Sequence, residues 1–227
     1  MEAGSQGLLG YNPRRHRPRK DAPMLEAHDL AARRGDAQLF SGVSLSLGPG
    51  TALYVRGPNG SGKTTLLRIL AGTTEAAQGR VLWRGERVGP FHPVLRGCAV
   101  FIGHSPALKD ELTVEENLAS LTTLQGAHAE RAAMLDALNA WSLSRQRTLP
   151  ARVLSQGQRR RVSLARLRLL SRPLWLLDEP ASALDDAGHV TLRDTLAAHL
   201  AAGGIAVIAT HQDLPVASGT HQTLLLA

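Results

Sequence analysis

The segment Gly57-Pro58-Asn59-Gly60-Ser61-Gly62-Lys63-Thr64 fits the phosphate-binding pattern G-x-x-x-x-G-K-[ST]. Residues 51–55 before it form a short, largely apolar run typical of a strand, and residues 65–71 after it have helical spacing. Its glycines allow a tight turn, so that backbone N–H groups and the start of the helix can face phosphate oxygens. Lys63 would reach the β- and γ-phosphates, and the Thr64 hydroxyl would bind Mg²⁺. An ordinary glycine-rich turn before a helix is the alternative, but the lysine, the hydroxyl, the strand and the helix would then occur together only by chance.

Two acidic residues follow a second apolar run further along the chain. Residues 174–177 are apolar and lead directly into Asp178 and Glu179. Because ligands of a parallel sheet bind at the carboxyl ends of its strands, we expect both carboxylates beside the phosphate loop. Asp178 would hold Mg²⁺ through water, and Glu179 would polarise the attacking water. The alternative is that the two acids only cap or turn the chain.

The remaining pattern predicts an α/β fold. Short strands separated by glycine-containing turns are predicted at residues 25–30, 43–47 and 51–55, which indicates an antiparallel sheet leading into the phosphate loop. Further strands are predicted at residues 80–83, 99–102, 205–210 and 223–226, the last one at a sheet edge. Helical periodicity at residues 114–124 and 129–140 predicts a helical subdomain inserted into the sheet domain.

A later helix begins after Ser155, a residue type that favours the N-cap position, and is predicted to run to about residue 170. It carries five arginines, at positions 159, 160, 161, 166 and 168. On the residues alone, a solvated helix face is the simpler interpretation, and a nucleic-acid surface is the alternative.

Composition limits the remaining possibilities. With 227 residues, 43% of them hydrophobic, the chain can bury one good core, and we expect one domain at residues 24–227. The single cysteine, Cys98, cannot form an internal disulfide, which favours a reducing compartment. No run approaches the roughly 20 apolar residues of a membrane helix.

Residues 1–23 differ from the rest of the chain. They are rich in Gly, Pro and Arg, carry five basic residues against two acidic ones, and show no hydrophobic period, so we expect a disordered basic extension. A basic arm that touches phospholipid or RNA, a dispensable extension, and translation starting at Met24 remain alternatives.

The motifs, in this order, resemble the ATP-binding subunit of ABC transporters across residues 25–227. Residues 57–64 are similar to the Walker A motif, Leu154-Ser155-Gln156-Gly157-Gln158 to the signature, residues 174–179 to Walker B, residues 182–185 to the D-loop, and His211 to the switch histidine. The resemblance implies a P-loop NTPase core of the ABC ATPase type, with an antiparallel β subdomain and an inserted helical subdomain.

The resemblance also implies cofactors and roles. ATP and Mg²⁺ would be bound, Glu179 and His211 would be catalytic, and Thr64 and Asp178 would hold the metal. The residues implied in nucleotide binding are Gly57, Pro58, Asn59, Gly60, Ser61, Gly62, Lys63, Thr64, Thr65, His104, Ser155 and Gly157. Two copies would form a homodimer, in which Ser155 and Gly157 of one copy close over the ATP of the other.

Three positions depart from the usual pattern of this family. His104 stands where the Q-loop glutamine is expected, and Gln156 replaces the first signature glycine. Arg34 stands near the position of the adenine-stacking aromatic, where a guanidinium can also stack on a ring.

Residues 103–118 and 210–216 resemble one subfamily, the haem exporter ATPases of cytochrome c maturation. This implies integral membrane partners of that system, a peripheral position on the cytoplasmic face of the inner membrane, and ATP-driven haem export. The chain has no C-x-x-C-H motif, so haem rests on resemblance alone. One alternative is the ATPase subunit of another ABC transporter. Another is a soluble ABC protein that acts on nucleic acid, which we do not expect because long coiled coils, zinc inserts and tandem cassettes are missing.

Overall fold

The computed structural model describes residues 24–227. The predicted disordered extension, residues 1–23, lies outside these described residues. Within residues 24–227, none of the helices combines the length and the apolar character needed to cross a membrane. The described chain has the predicted α/β architecture, with an antiparallel sheet, a parallel sheet and an inserted group of helices.

The elements are named in chain order. The strands are β1 (Leu25–Arg34), β2 (Ala37–Leu47), β3 (Thr51–Arg56), β4 (Gln78–Trp83), β5 (Glu86–Val88), β6 (Ala99–Ile102), β7 (Leu174–Asp178), β8 (Ile205–Ala209) and β9 (Thr220–Leu225). The helices are α1 (Lys63–Leu70), α2 (Pro93–Cys98), α3 (Val114–Leu124), α4 (Arg131–Ala140), α5 (Gln156–Ala165) and α6 (Asp186–Ala201), with 3-10 turns at Ala151–Val153 and Arg166–Arg168.

The antiparallel sheet contains four strands in the order β2-β1-β4-β5. The β4–β5 hairpin turns at Arg84 and Gly85, which both have positive φ, as a two-residue turn between twisted strands requires. The prediction that residues 51–55 belong with the two preceding strands in an antiparallel arrangement is wrong. Strand β3 instead pairs in parallel with β8 and β9, because its residues from Thr51 to Val55 are all buried and need cover on both faces.

The parallel sheet has the order β6-β7-β8-β3-β9, and every neighbouring pair in it is parallel. The central strands β7 and β8 are completely buried, as their continuous apolar sequences require. Strand β9 lies at the edge, as predicted, and starts three residues before the predicted strand. The register places Val55, Ala209 and Asp178 level with one another, so the loops after β3, β7 and β8 leave the sheet at the same edge.

The inserted helices α3, α4 and α5 lie between β6 and β7 in the chain, as predicted. They pack around fully buried apolar side chains, among them Leu118, Leu138, Trp141 and Leu143. Ser155 is the N-cap of α5, as predicted, and forms a capping box with Gln158. The helix ends at Ala165, earlier than predicted, and continues as a 3-10 turn.

Asn117 fixes the loop that precedes and enters α3. Its side chain is buried, and its Oδ1 accepts a hydrogen bond of 2.8 Å from the Lys109 amide. Its Nδ2 donates to the carbonyl oxygens of Lys109, Leu112 and Thr113, each at 3.0 Å. One amide group therefore pairs the Lys109 N–H and adds a second donor to three carbonyl oxygens that also accept backbone N–H groups.

We expect Asn117→Ala to lower the free energy of unfolding by about 1–3 kcal/mol, because the Lys109 N–H would lose its partner and three carbonyl oxygens would each lose one donor. Urea unfolding of the purified protein measures this loss. Thr123→Ala, at an exposed position on the same helix, is the control and should change little. Equal stability of the two variants would contradict this role for Asn117.

Candidate nucleotide-binding site

The phosphate loop joins β3 to α1 and is shaped by its glycines. Gly57 has φ of +149°, and a Cβ atom there would lie 2.2 Å from the carbonyl oxygen of Leu226. Gly62 has φ of +94° and forms the N-cap of α1, where a Cβ atom would lie 2.8 Å from the Phe40 ring. Larger residues would therefore push the loop off the sheet, and the loop presents the N-terminus of α1 to the site.

Lys63 lies at the first position of α1 with its side chain folded back across this loop. The residue is only 8% exposed, and its Nζ donates to the carbonyl oxygens of Gly57, at 2.8 Å, and Pro58, at 3.0 Å. An ammonium group has three donors, so one N–H remains for a phosphate oxygen. The charge is thus held in place beside the loop.

Thr64 and Asp178 are in direct contact although they lie 114 residues apart. The Thr64 hydroxyl donates to Asp178 Oδ2 at 2.7 Å, and Asp178 is buried at the end of β7. A hydroxyl and a carboxylate are oxygen ligands of the kind that Mg²⁺ prefers, together with water and phosphate oxygens. Within residues 24–227 no group of three or more His, Cys, Asp or Glu could hold a metal. Thr64 and Asp178 supply only two ligands, so they fit Mg²⁺ whose remaining ligands are water and the oxygens of a bound polyphosphate.

Glu179 directly follows β7 and has an unusual backbone for a residue with a side chain, with φ of +47°. Its N–H donates to the Ala209 carbonyl at 2.8 Å, which ties it to β8. Its Oε1 is buried without a hydrogen-bond partner within the described chain. A buried carboxylate oxygen without a donor is costly unless a ligand or water supplies one, and strain of this kind is typical of functional sites.

His211 lies between the phosphate loop and this carboxylate. Its Nε2 donates to Asn59 Oδ1 at 3.0 Å and lies 3.7 Å from Glu179 Oε1. The imidazole is therefore placed where it can contact both the loop and a group bound next to Glu179.

A cavity of about 270 Å³ brings most of the predicted residues together. Its lining residues are Arg34, Leu39, Asn59, Gly60, Gly62, Lys63, Thr64, Thr65, His104, Asp178, Glu179 and His211. His104 and Arg34, two of the departures noted in the sequence, thus lie at the same cavity as the phosphate loop.

A family model described as ABC transporter matches residues 40–182, which is more than half of the chain. This chain belongs to the ABC transporter family. Its relatives include proteins described as cytochrome c biogenesis ATP-binding export protein CcmA. The one from Aromatoleum aromaticum is 48% identical over 87% of this chain and 93% of its own length. The one from Nitrosospira multiformis is 43% identical over 90% of this chain and 99% of its own length.

Solved structures show the same ABC fold. A putative ABC transporter ATP-binding protein from Pyrococcus furiosus is 26% identical, with a TM-score of 0.76 over 88% of this chain and 96% of its own. The ATP-binding cassette MJ0796, solved as a dimer with ADP and Pi, matches with a TM-score of 0.73 over 83% of this chain and 88% of its own. At 24% identity the second likeness concerns the fold alone.

In this ABC chain, two predicted nucleotide-binding residues lie away from the cavity. Ser155 and Gly157 line a separate cleft with Gln158, Arg161, Ala183 and Asp185. A Cβ atom at Gly157 would lie 2.6 Å from the Ala183 carbonyl oxygen, so the start of α5 packs closely on the backbone at Ala183. A single copy therefore does not bring Ser155 and Gly157 to its own phosphate loop.

Two arginines of α5 and its following turn are buried, so the solvated face predicted for this helix is wrong. Arg160 and Arg166 are 2% and 6% exposed, and burial lowers the pKa of each to about 10. Arg159 pairs with Asp110, and Arg161 pairs with Asp185. Because these four arginines are buried or paired with aspartates of the same chain, they no longer favour a nucleic-acid surface on this helix.

Sequence reasoning missed Arg160 although a signal was present. Arg160 shares one face of α5 with the buried residues Ser163 and Leu164, at spacings of three and four. The position was therefore on the core side of the helix. A charged residue there needs hydrogen-bond partners supplied by other parts of the fold.

Proposed function

We propose that this chain is the ATP-hydrolysing subunit of an ABC transporter that serves cytochrome c biogenesis. The observation that carries hydrolysis is the position of Glu179, whose unpartnered carboxylate oxygen lies on the same cavity as Lys63 and the Thr64–Asp178 pair. Residues 24–227 form the ATP-binding domain in this proposal. Membership in the ABC family supports binding of ATP, and the relatives' names support the cellular role.

The residues divide the reaction between them. The loop N–H groups, the start of α1 and Lys63 bind the phosphates, while Thr64 and Asp178 hold Mg²⁺, which when bound offsets phosphate charge. Glu179 accepts a proton from a water whose oxygen attacks the γ-phosphorus. The bond from that phosphorus to the β–γ bridging oxygen breaks, which yields ADP and inorganic phosphate. His211 contacts the γ-phosphate and is oriented by Asn59.

The functional unit is a head-to-tail homodimer in this proposal. The separate cleft at Ser155 and Gly157 supports it, because those residues would otherwise have no nucleotide to contact. The N-terminus of α5 presents unpaired N–H groups, which suits the γ-phosphate of the other copy. The similar cassette MJ0796 has been solved as a dimer.

The cargo is haem and the partners are the integral membrane subunits of the cytochrome c maturation system, by inference from relatives described as CcmA. The chain would bind them peripherally at the cytoplasmic face of the inner membrane. The loop that follows β6 is suited to this contact. His104, Ser105, Lys109, Asp110 and Glu111 on it are exposed, while Leu108 packs on the core.

A cell that carries Lys63→Ala in this protein is expected to accumulate apocytochrome c while b-type cytochromes and haem synthesis stay normal. The reason is that only the ATP-dependent maturation step would fail. Haem-stained gels and immunoblots for apocytochrome measure this, and re-expression of the wild-type chain is the control. Normal holocytochrome c would contradict the haem assignment, and the chain would then be the ATPase subunit of an ABC transporter with another cargo.

A further inference from the structure

Arg160 connects the helical subdomain to the site through an unusual set of contacts. Its guanidinium donates to five backbone carbonyl oxygens, in two groups. The first group begins at the last residue of β7: Asp178 at 2.7 Å, Glu179 at 2.6 Å and Pro180 at 3.2 Å. The second follows β6: Gly103 at 2.7 Å and His104 at 3.3 Å. A guanidinium has five N–H donors, so all of its donors are used.

Because the Arg160 side chain is buried, its N–H donors depend on these carbonyl oxygens and cannot bond to water instead. Arg160 is 2% exposed, and its burial would be unfavourable without full satisfaction of the donors. The charges of Asp178 and Glu179 oppose the lowering of its pKa by burial. The planar fork of Arg reaches both loops at once, whereas the three donors of a lysine ammonium radiate from one point and cannot.

Glu179 is held from two sides as a result. Its N–H donates to the Ala209 carbonyl, and its C=O accepts from Arg160 at 2.6 Å and from the Ser182 N–H at 3.1 Å, on either side of a Cα in the left-handed region. Such a conformation persists only where the surroundings determine it. Because the carboxylate position follows from the backbone, loss of the shorter Arg160 bond would leave the Glu179 C=O with the Ser182 N–H alone and would loosen the position of the carboxylate.

We propose that Arg160 is a positioning residue that locks Glu179 and the loop at Gly103 and His104 into one unit with α5. The proposal rests on the proposed hydrolytic function for its kinetic consequence. The same helix carries Ser155 and Gly157 at its start, so a shift of α5 on contact with the second copy moves the Glu179 backbone. The His104 loop moves with it, since both loops are bonded to one guanidinium.

Steady-state ATP hydrolysis tests the kinetic part. Arg160→Met and Arg160→Lys are expected to lower kcat about 10- to 100-fold, the scale of a misplaced reacting group, while the KM for Mg·ATP changes much less. No bond from Arg160 reaches residues 57–65, which hold the phosphates. Arg159→Gln is the matched control, because Arg159 is the preceding arginine on α5 and pairs with Asp110 and the Ala151 carbonyl. An unchanged kcat in Arg160→Lys would overturn the proposal.

A double-mutant cycle separates positioning from general stability. In a Glu179→Gln background, Arg160→Lys should cause little further loss of hydrolysis, because the group that it positions is already gone. The same fold loss in both backgrounds would mean that Arg160 acts only on stability, and the proposal would fail.

Hydrogen exchange gives a readout that does not depend on hydrolysis. Arg160→Lys should raise amide exchange at least about 10-fold in peptides covering residues 99–106 and 176–184, with Arg159→Gln unchanged. Equal exchange in the two variants would overturn the proposal. A wild-type chain that exchanges as expected yet hydrolyses no ATP would instead contradict the proposed function.

Discussion

Glu179→Gln is expected to bind ATP like the wild-type chain and to hydrolyse it at least about 10²-fold more slowly, the size of a typical general-base effect. The amide keeps the shape of the side chain, but it cannot accept a proton from water at neutral pH. Lys63, Thr64 and Asp178 are untouched, so the phosphate and metal ligands remain. Single-turnover hydrolysis and equilibrium ATP binding on the same preparation measure the two quantities separately.

The control for this variant is Glu86→Gln, which changes an exposed acid on β5 in the antiparallel sheet. It should leave both ATP binding and hydrolysis unchanged. Hydrolysis by Glu179→Gln at a rate near that of the wild type would remove Glu179 from the role of base. The search would then move to the other groups on the cavity, His104 and His211.

Lys63→Ala is expected to weaken ATP binding about 10- to 100-fold, because a charge-assisted hydrogen bond to phosphate contributes about 1.5–3 kcal/mol. The change also removes the two bonds from Nζ to the Gly57 and Pro58 carbonyls, which hold the loop in shape. Binding of a fluorescent ATP analogue to the purified protein, displaced by ATP, measures the loss.

Lys109→Ala is the matched control for this second change, since Lys109 is exposed and is the only other lysine within residues 24–227. Its loss should leave ATP affinity unchanged. Equal affinity of Lys63→Ala and the wild type would show that the N–H groups of the loop bind the phosphates without the ammonium.

The local elements of the site could be predicted from the residues themselves. The strand, loop and helix around Lys63, the buried strand that ends at Asp178, and the Ser155 N-cap all appear where their patterns indicate. Each depends on neighbours within one or two turns of chain, such as glycine conformations, a cap bond or a continuous apolar run. Whether these residues act as proposed stays a prediction for the experiments above.

Pairings between distant segments were harder to predict. The short turn between β2 and β3 favoured an antiparallel partner, yet β3 pairs with β8, about 150 residues later in the chain. The choice depends on which faces of the strand are covered, and that is a property of the whole sheet. The contact of His211 with Asn59 is also a pairing between distant segments. The sequence motif identified the histidine but not its partner.

By itself, the sequence determined that this chain has a phosphate loop, a strand that delivers two carboxylates, and a helix capped by Ser155, because the forces that form them act between near neighbours. Only the tertiary structure decided that Thr64 bonds to Asp178, that Ser155 and Gly157 lie away from the phosphate loop, and that Arg160 is buried. The physical reason is that a buried guanidinium needs hydrogen-bond partners from other parts of the fold, and five carbonyl oxygens converge on that of Arg160. Those oxygens belong to residues 18 to 57 positions away in the chain, which no local pattern of charge or hydrophobicity records.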